Sequence, residues 1–184
     1  MSIMPGPFIT AEQLLVRPGD AGRCELVRGE IRAMSPAGPR HGLISLRFGG
    51  RMLAWVEAHS LGHSYGADTG FVIERDPDTV LAPDAAFVQR ERTPPIDHRG
   101  FFEGHPDLCV EVRSPNDSRP AMQRKARAWL DAGCQVVVNV DPESQTVEVW
   151  RPDAEPQTLR GDDIFAADDV IAGFRLRIAD LFVD

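Results

Sequence analysis

Two acidic residues interrupt segments that otherwise read as buried strands: Asp84 in "VLAPDAAFV" and Glu111 in "LCVEVRS". An unpaired carboxylate inside an apolar strand is costly, so each needs a partner, a metal ion or a strand end near solvent. If neighbouring strands bring the two together, a cation must relieve their like charges. Two carboxylates and a backbone carbonyl are hard oxygen donors that suit Mg²⁺ or Mn²⁺ and not Zn²⁺.

Lys125 joins them as a third candidate. It is the single lysine in a chain with nineteen arginines, and it follows Glu111 by fourteen residues. It falls in the first turns of a helix that must pack back on the strand carrying Glu111. There a compact ammonium can hold a water or neutralise charge growing on a phosphate, roles a bulkier guanidinium does not fill freely. The plain alternative is a surface lysine beside Arg124 and Arg127.

Several elements must position these residues. "ITAEQLLVR" reads as a short helix, with Thr10 as N-cap and Gln13 completing a capping box. "RCELVRGEIRAMS" reads as a hairpin turning at "RGE". "HGLISLRFGGRMLAWVEAHS" has helical spacing, and Gly49-Gly50 weakens it or marks close packing against a neighbour. "YGADTGFVIE" and "VLAPDAAFVQR" read as two strands joined by "RDPD". "RERTPPIDHRGFFEGHP" reads as a loop.

"DLCVEVRS" is a strand with both faces covered. "SRPAMQRKARAWLDAG" is a helix with Pro120 in its first turn and Gly133 as its stop. "CQVVVNVD" and "TVEVW" are further strands, and the acidic tail adds one strand and a turn at "RIADLF". A crossover from "DLCVEVRS" through the helix to "CQVVVNVD" makes those two strands parallel. The expected fold is a mixed α/β (α+β) domain spanning residues 1–184, with a central mixed sheet flanked by helices.

Composition narrows the function. The chain has 184 residues, 42% hydrophobic and 26% charged, as in ordinary globular proteins. It has neither a membrane-length apolar run nor a signal-peptide start, which points to the cytoplasm. Cys24, Cys109 and Cys134 lack metal or disulfide spacing and read as buried thiols. The net charge of -8 argues against bulk attraction to a polyanion, so any nucleic-acid contact would be local and would use the arginine-bearing first third.

The segments "CELVRGEIRAMSP", "RHGLISL", "APDAAFV", "PDLCVEVRSPN", "RKARAWLDAG" and "VVVNVDP" together resemble the Uma family of restriction endonucleases, within the PD-(D/E)XK nuclease superfamily. The resemblance implies a restriction-endonuclease-like core and a Mg²⁺- or Mn²⁺-dependent site hydrolysing DNA phosphodiesters. It implies Asp84 as the metal-binding aspartate and Glu111 as the second acidic ligand. Glu25 is implied as an acid reaching the metal directly or through water, and the Val112 carbonyl as a backbone ligand. Arg113 stands where the superfamily lysine usually does. It shares the Glu111 face of a strand, whereas the Uma-type arrangement is a lysine moved to the helix, Lys125.

The family also has a histidine at the position of His41. A base, a phosphate contact and a helix-start hydrogen bond all fit that residue. Ser114 and Asn116 read as a turn capping the next helix. Three functions follow: a DNA endonuclease, in the superfamily often a homodimer; a nuclease fold kept for binding or assembly; or a hydrolase of small phosphoesters. Fold alone does not choose among them.

Overall fold

Thr10 opens the ordered elements with the expected capping box: its side chain accepts from Gln13 N, and Gln13 Oε1 accepts from Thr10 N. The computed structural model describes residues 8–16 and 22–183. Helix α1 (Ala11–Leu15) follows the cap, and β1 (Cys24–Val27) pairs with β2 (Glu30–Ala33) as the expected hairpin. Helix α2 (Pro39–Ala58) starts two residues before His41, because proline is at ease in a first helical turn. Ile44, Phe48, Met52 and Val56 recur every fourth residue and form its buried face, each worth about 1.5–3 kcal/mol of burial. Gly49 faces the sheet, where a Cβ would lie 3.3 Å from Ala85 Cβ, whereas Gly50 faces open space.

Two segments read as single strands are each two strands. The first divides into β3 (Gly62–Gly66) and β4 (Phe71–Glu74), the second into β5 (Thr79–Leu81) and β6 (Ala85–Gln89). Pro83 explains the second break, since it has no N–H to donate to a ladder. Asp84 therefore stands in the bend before β6 and not inside a strand. The expected loop that follows contains a turn of 3-10 helix at Arg90–Arg92 and the short strand β7 (Phe102–Glu103).

Next come β8 (Leu108–Val112), α3 (Arg119–Asp131), β9 (Val136–Asp141) and β10 (Thr146–Trp150). Ser118 caps α3 by accepting from Ala121 N, and Gly133 just beyond its end takes φ +109°. The tail holds three strands where one was expected: β11 (Gln157–Arg160), β12 (Ile164–Ala166) and β13 (Arg175–Arg177). Leu159, Phe165 and Leu176 supply one buried side chain to each.

The central sheet has six strands in the order β11-β10-β9-β8-β6-β3. It is mixed: β8 and β9 are parallel, as a helical crossover requires, and the other neighbours are antiparallel. A five-stranded sheet, β2-β1-β5-β4-β7, accompanies it. Leu108, Val110 and Val112 join the core beneath α2, whereas Cys109 joins the core with Ala126 and Trp129 of α3. Period-two alternation therefore turns Glu111 toward α3. Cys109 and Cys134 are buried free thiols with Sγ atoms 4.0 Å apart, while Cys24 is only half-buried. No described helix is long and apolar enough to cross a membrane.

Candidate active site

Glu25, Asp84, Glu111, His41 and Lys125 line one cleft of about 510 Å³. Glu25 comes from β1, Asp84 from the bend before β6, Glu111 from β8, His41 from the first turn of α2, and Lys125 from α3. Asp84 is fixed by the backbone around it: its N donates to Val110 O (2.9 Å), and its Oδ2 accepts from Val112 N (2.8 Å). The same Oδ2 lies 3.2 Å from His41 Nε2. Among the described residues Asp84 Oδ1 has no partner.

Glu111 is 5% exposed and shared between two donors of α3. Trp129 Nε1 donates to its Oε1 at 2.8 Å, and Lys125 Nζ to its Oε2 at 2.9 Å. Residues four apart on a helix share a face, which is why both reach one carboxylate. Lys125 Nζ also lies 2.8 Å from Glu25 Oε1, which accepts from Ala82 N at 3.0 Å.

Burial pushes the Glu111 carboxyl up to about 7; Lys125 opposes that shift, while Glu25 and Asp84 add to it. Burial works against the Lys125 charge, but Glu111 and Glu25 overcome it and hold the ammonium well above its usual range. The hydrogen bond to Asp84 raises His41, against an opposing effect of burial.

Arg113 takes another course. It lies just past the end of β8, and its guanidinium reaches Asp141 Oδ1 (2.9 Å) and Glu143 Oε2 (2.5 Å) instead of turning back to Glu111. Lys125 is therefore the cation brought to Glu111. Ser114 N donates to Asp117 Oδ2 at 3.0 Å, and the turn at 114–117 borders the cleft.

The residues suit a hard divalent cation by donor type and by charge. Three carboxylates border one cleft with a single ammonium between two of them. Among the described residues no three His, Cys, Asp or Glu side chains surround a common point as they stand; Lys125 contacts Glu25 and Glu111, and His41 contacts Asp84. Asp84 Oδ1 and Glu25 Oε2 are the oxygens of these three carboxylates without a partner among the described residues.

Residues 11–179 match the model of the Uma2 family, described as "Putative restriction endonuclease". The chain belongs to the Uma2 family. It is also similar to the crystal structure of a "putative nuclease belonging to DUF820" from Anabaena variabilis ATCC 29413. That similarity has a TM-score of 0.82 at 22% identity and covers 95% of this chain and 97% of the other. It shows a shared fold. A search of curated proteins finds no match.

Some site contacts of this Uma2 chain were hidden in its sequence. The His41–Asp84 pair joins residues 43 positions apart, and no local pattern reveals it. Trp129 as a donor to Glu111 was within reach, since it lies one turn after Lys125. Arg23 and Arg32 also line the cleft. Its rim mixes these bases with Glu25, Asp84, Glu111 and Asp117, and is neither a basic groove nor a closed acidic pocket.

Proposed function

We propose that this chain is a metal-dependent endonuclease that hydrolyses DNA phosphodiester bonds. The observation that carries the reading is the meeting of Glu25, Asp84 and Glu111 with Lys125 in one cleft of a restriction-endonuclease-like chain. Asp84, Glu111 and the Val112 carbonyl would hold Mg²⁺ or Mn²⁺, with Glu25 reaching it directly or through water. When bound, such an ion supplies a Lewis acid for the phosphate and lowers the pKa of water.

The protein's own groups divide the remaining work. Lys125, held charged, is no proton acceptor; it neutralises charge that grows on the phosphate. Trp129 fixes the Glu111 rotamer, and Val112 N with His41 Nε2 fixes Asp84 through Oδ2, which leaves Oδ1 unpartnered. Arg23 and Arg32, held by exposed pairs with Asp68 and Glu30 that a phosphate could displace, would be the local cations for a phosphate backbone.

A homodimer belongs to this reading, since a double-strand cut takes two centres. Leu43, Leu46 and Leu53 are 45%, 73% and 40% exposed on one side of α2. Gly50 lies among them, Arg40 at one end and Glu57 at the other, a pattern that complements itself about a two-fold axis. Sedimentation of the wild type against Leu46→Glu checks it: a dimer that the variant turns to monomer is expected, and a monomeric wild type contradicts it.

The mixed rim favours a second reading, hydrolysis of small phosphodiesters. Incubation with supercoiled plasmid or bis(p-nitrophenyl) phosphate, with Mn²⁺ or Mg²⁺, separates the two. Plasmid nicking lost in Asp84→Asn supports the endonuclease. Hydrolysis of the small diester alone supports the second reading, and neither activity leaves a nuclease fold used for binding.

A further inference from the structure

Glu111, Asn139, Glu148 and Thr158 stand in register across β8, β9, β10 and β11. They form a polar row on the sheet face that carries α3. The row leads from the cleft to a separate pocket of about 250 Å³, and Met122 lines both.

Asn139 is the unusual member. It sits among valines at 136–138 and 140 and is 6% exposed. Its Nδ2 donates to Met122 O at a long 3.4 Å, while its Oδ1 is buried without a partner. Arg113 Nε, in the same lining, is also buried and unpartnered. A buried acceptor and donor left unsatisfied are costly, and native proteins rarely keep them without a reason.

The pocket is not built for an anion. Arg113 is neutralised by Asp141 and Glu143, and Arg119 by Glu148. Its volume lies below the roughly 300–1,000 Å³ of sites for drug-sized ligands, so it suits one small ring system. Ser144 and Thr158 add hydroxyls at the mouth, and Met122 an apolar wall. The ligand that fits is neutral, compact and ringed, with N–H donors and acceptors side by side.

We infer that this pocket is a nucleobase subsite, in which Asn139 Oδ1 accepts from a base N–H and Arg113 Nε donates to a neighbouring base acceptor. Its placement beside a scissile phosphate rests on the endonuclease reading. With a phosphodiester at Asp84 and Glu111, the adjoining base is the neutral group able to pass Met122. Asn139 would then help determine which base is accepted.

The test uses the ¹⁵N-labelled full chain without metal, titrated by NMR with deoxyadenosine, deoxycytidine, deoxyguanosine and thymidine. At least one nucleoside is expected to give saturable shifts at the amides of Asn139, Thr146 and Thr158. Asn139→Leu is expected to weaken that binding at least tenfold. Thr158→Trp fills the mouth from an exposed position, spares the core, and is expected to abolish it. Asp84→Asn, at the proposed metal ligand, is expected to leave it unchanged. No saturable shift at these amides with any nucleoside, or shifts that survive both pocket variants, would overturn the subsite. Metal titration reads the other proposal separately: nucleoside binding without metal binding sinks the endonuclease and keeps the pocket, and the converse result does the reverse.

Discussion

Lys125 Nζ lies 2.9 Å from Glu111 Oε2, so the single lysine of the chain reaches the most buried carboxylate of the cleft. The same ammonium lies 2.8 Å from Glu25. Glu25 belongs to the five-stranded sheet and Glu111 to the six-stranded one, so Lys125 ties the two sheets together where the cleft forms. An ammonium can serve both carboxylates from a largely buried position, where a guanidinium would need more room.

Removing that ammonium strands two carboxylates in a buried place. Lys125→Met is expected to lose about 3–5 kcal/mol of stability at pH 8, as when one partner of a buried ion pair is removed. Adding Glu111→Gln should restore part of the loss. Urea denaturation of the single and double variants measures both effects. A single variant within about 0.5 kcal/mol of wild type would show that the contact contributes little.

Glu111 titrates late because of where it stands. Its folded value, about 7, lies above the 4.5 of an ordinary glutamate, so the folded state holds a proton that the unfolded state has released. The stabilising contribution is complete below pH 4.5 and is lost as pH rises to about 7. The Glu111→Gln variant should lack this loss. Carboxyl ¹³C NMR should find the midpoint near 7, and an ordinary midpoint near 4.5 would contradict the burial argument.

His41 should titrate above its ordinary 6.5, because Asp84 favours the protonated ring. The contribution of this pair is present in full below pH 6.5 and is lost as pH rises through the folded value. In Asp84→Asn the imidazole midpoint should fall. Imidazole NMR reads it directly, and an unchanged midpoint would separate His41 from Asp84 in solution.

Much of this arrangement was legible locally. The capping box of Thr10 and Gln13, the turn at "RGE" and the crossover from β8 through α3 to β9 all follow from short patterns. Local pattern alone left Lys125 open between the surface and Glu111, and the family resemblance pointed to the second. What stayed hidden depends on register between distant strands. Pro83 divides one apparent strand between two sheets, and Arg113 is turned aside by Asp141 and Glu143, far along the chain. The row from Glu111 through Asn139 to Glu148 exists only once β8, β9 and β10 are paired.

The two glycines of α2 offer a paired test of packing. Gly49→Leu is expected to cost about 1–3 kcal/mol, since its Cβ meets Ala85 and the added carbons overpack the sheet face. Gly50→Ala, in open space, should gain up to about 1 kcal/mol of helix propensity. Thermal unfolding ranks the two, and equal effects would mean that α2 does not approach β6 as closely as described.

Calorimetric titration of Mn²⁺ and Mg²⁺ into the wild type and Asp84→Asn tests the metal site most directly. It needs no knowledge of the DNA sequence preferred. Saturable binding to the wild type that disappears in the variant is expected if Asp84 Oδ1 and Glu111 hold the ion. Absence of binding in both, or equal binding in both, would contradict a metal centre at Asp84 and the endonuclease reading with it.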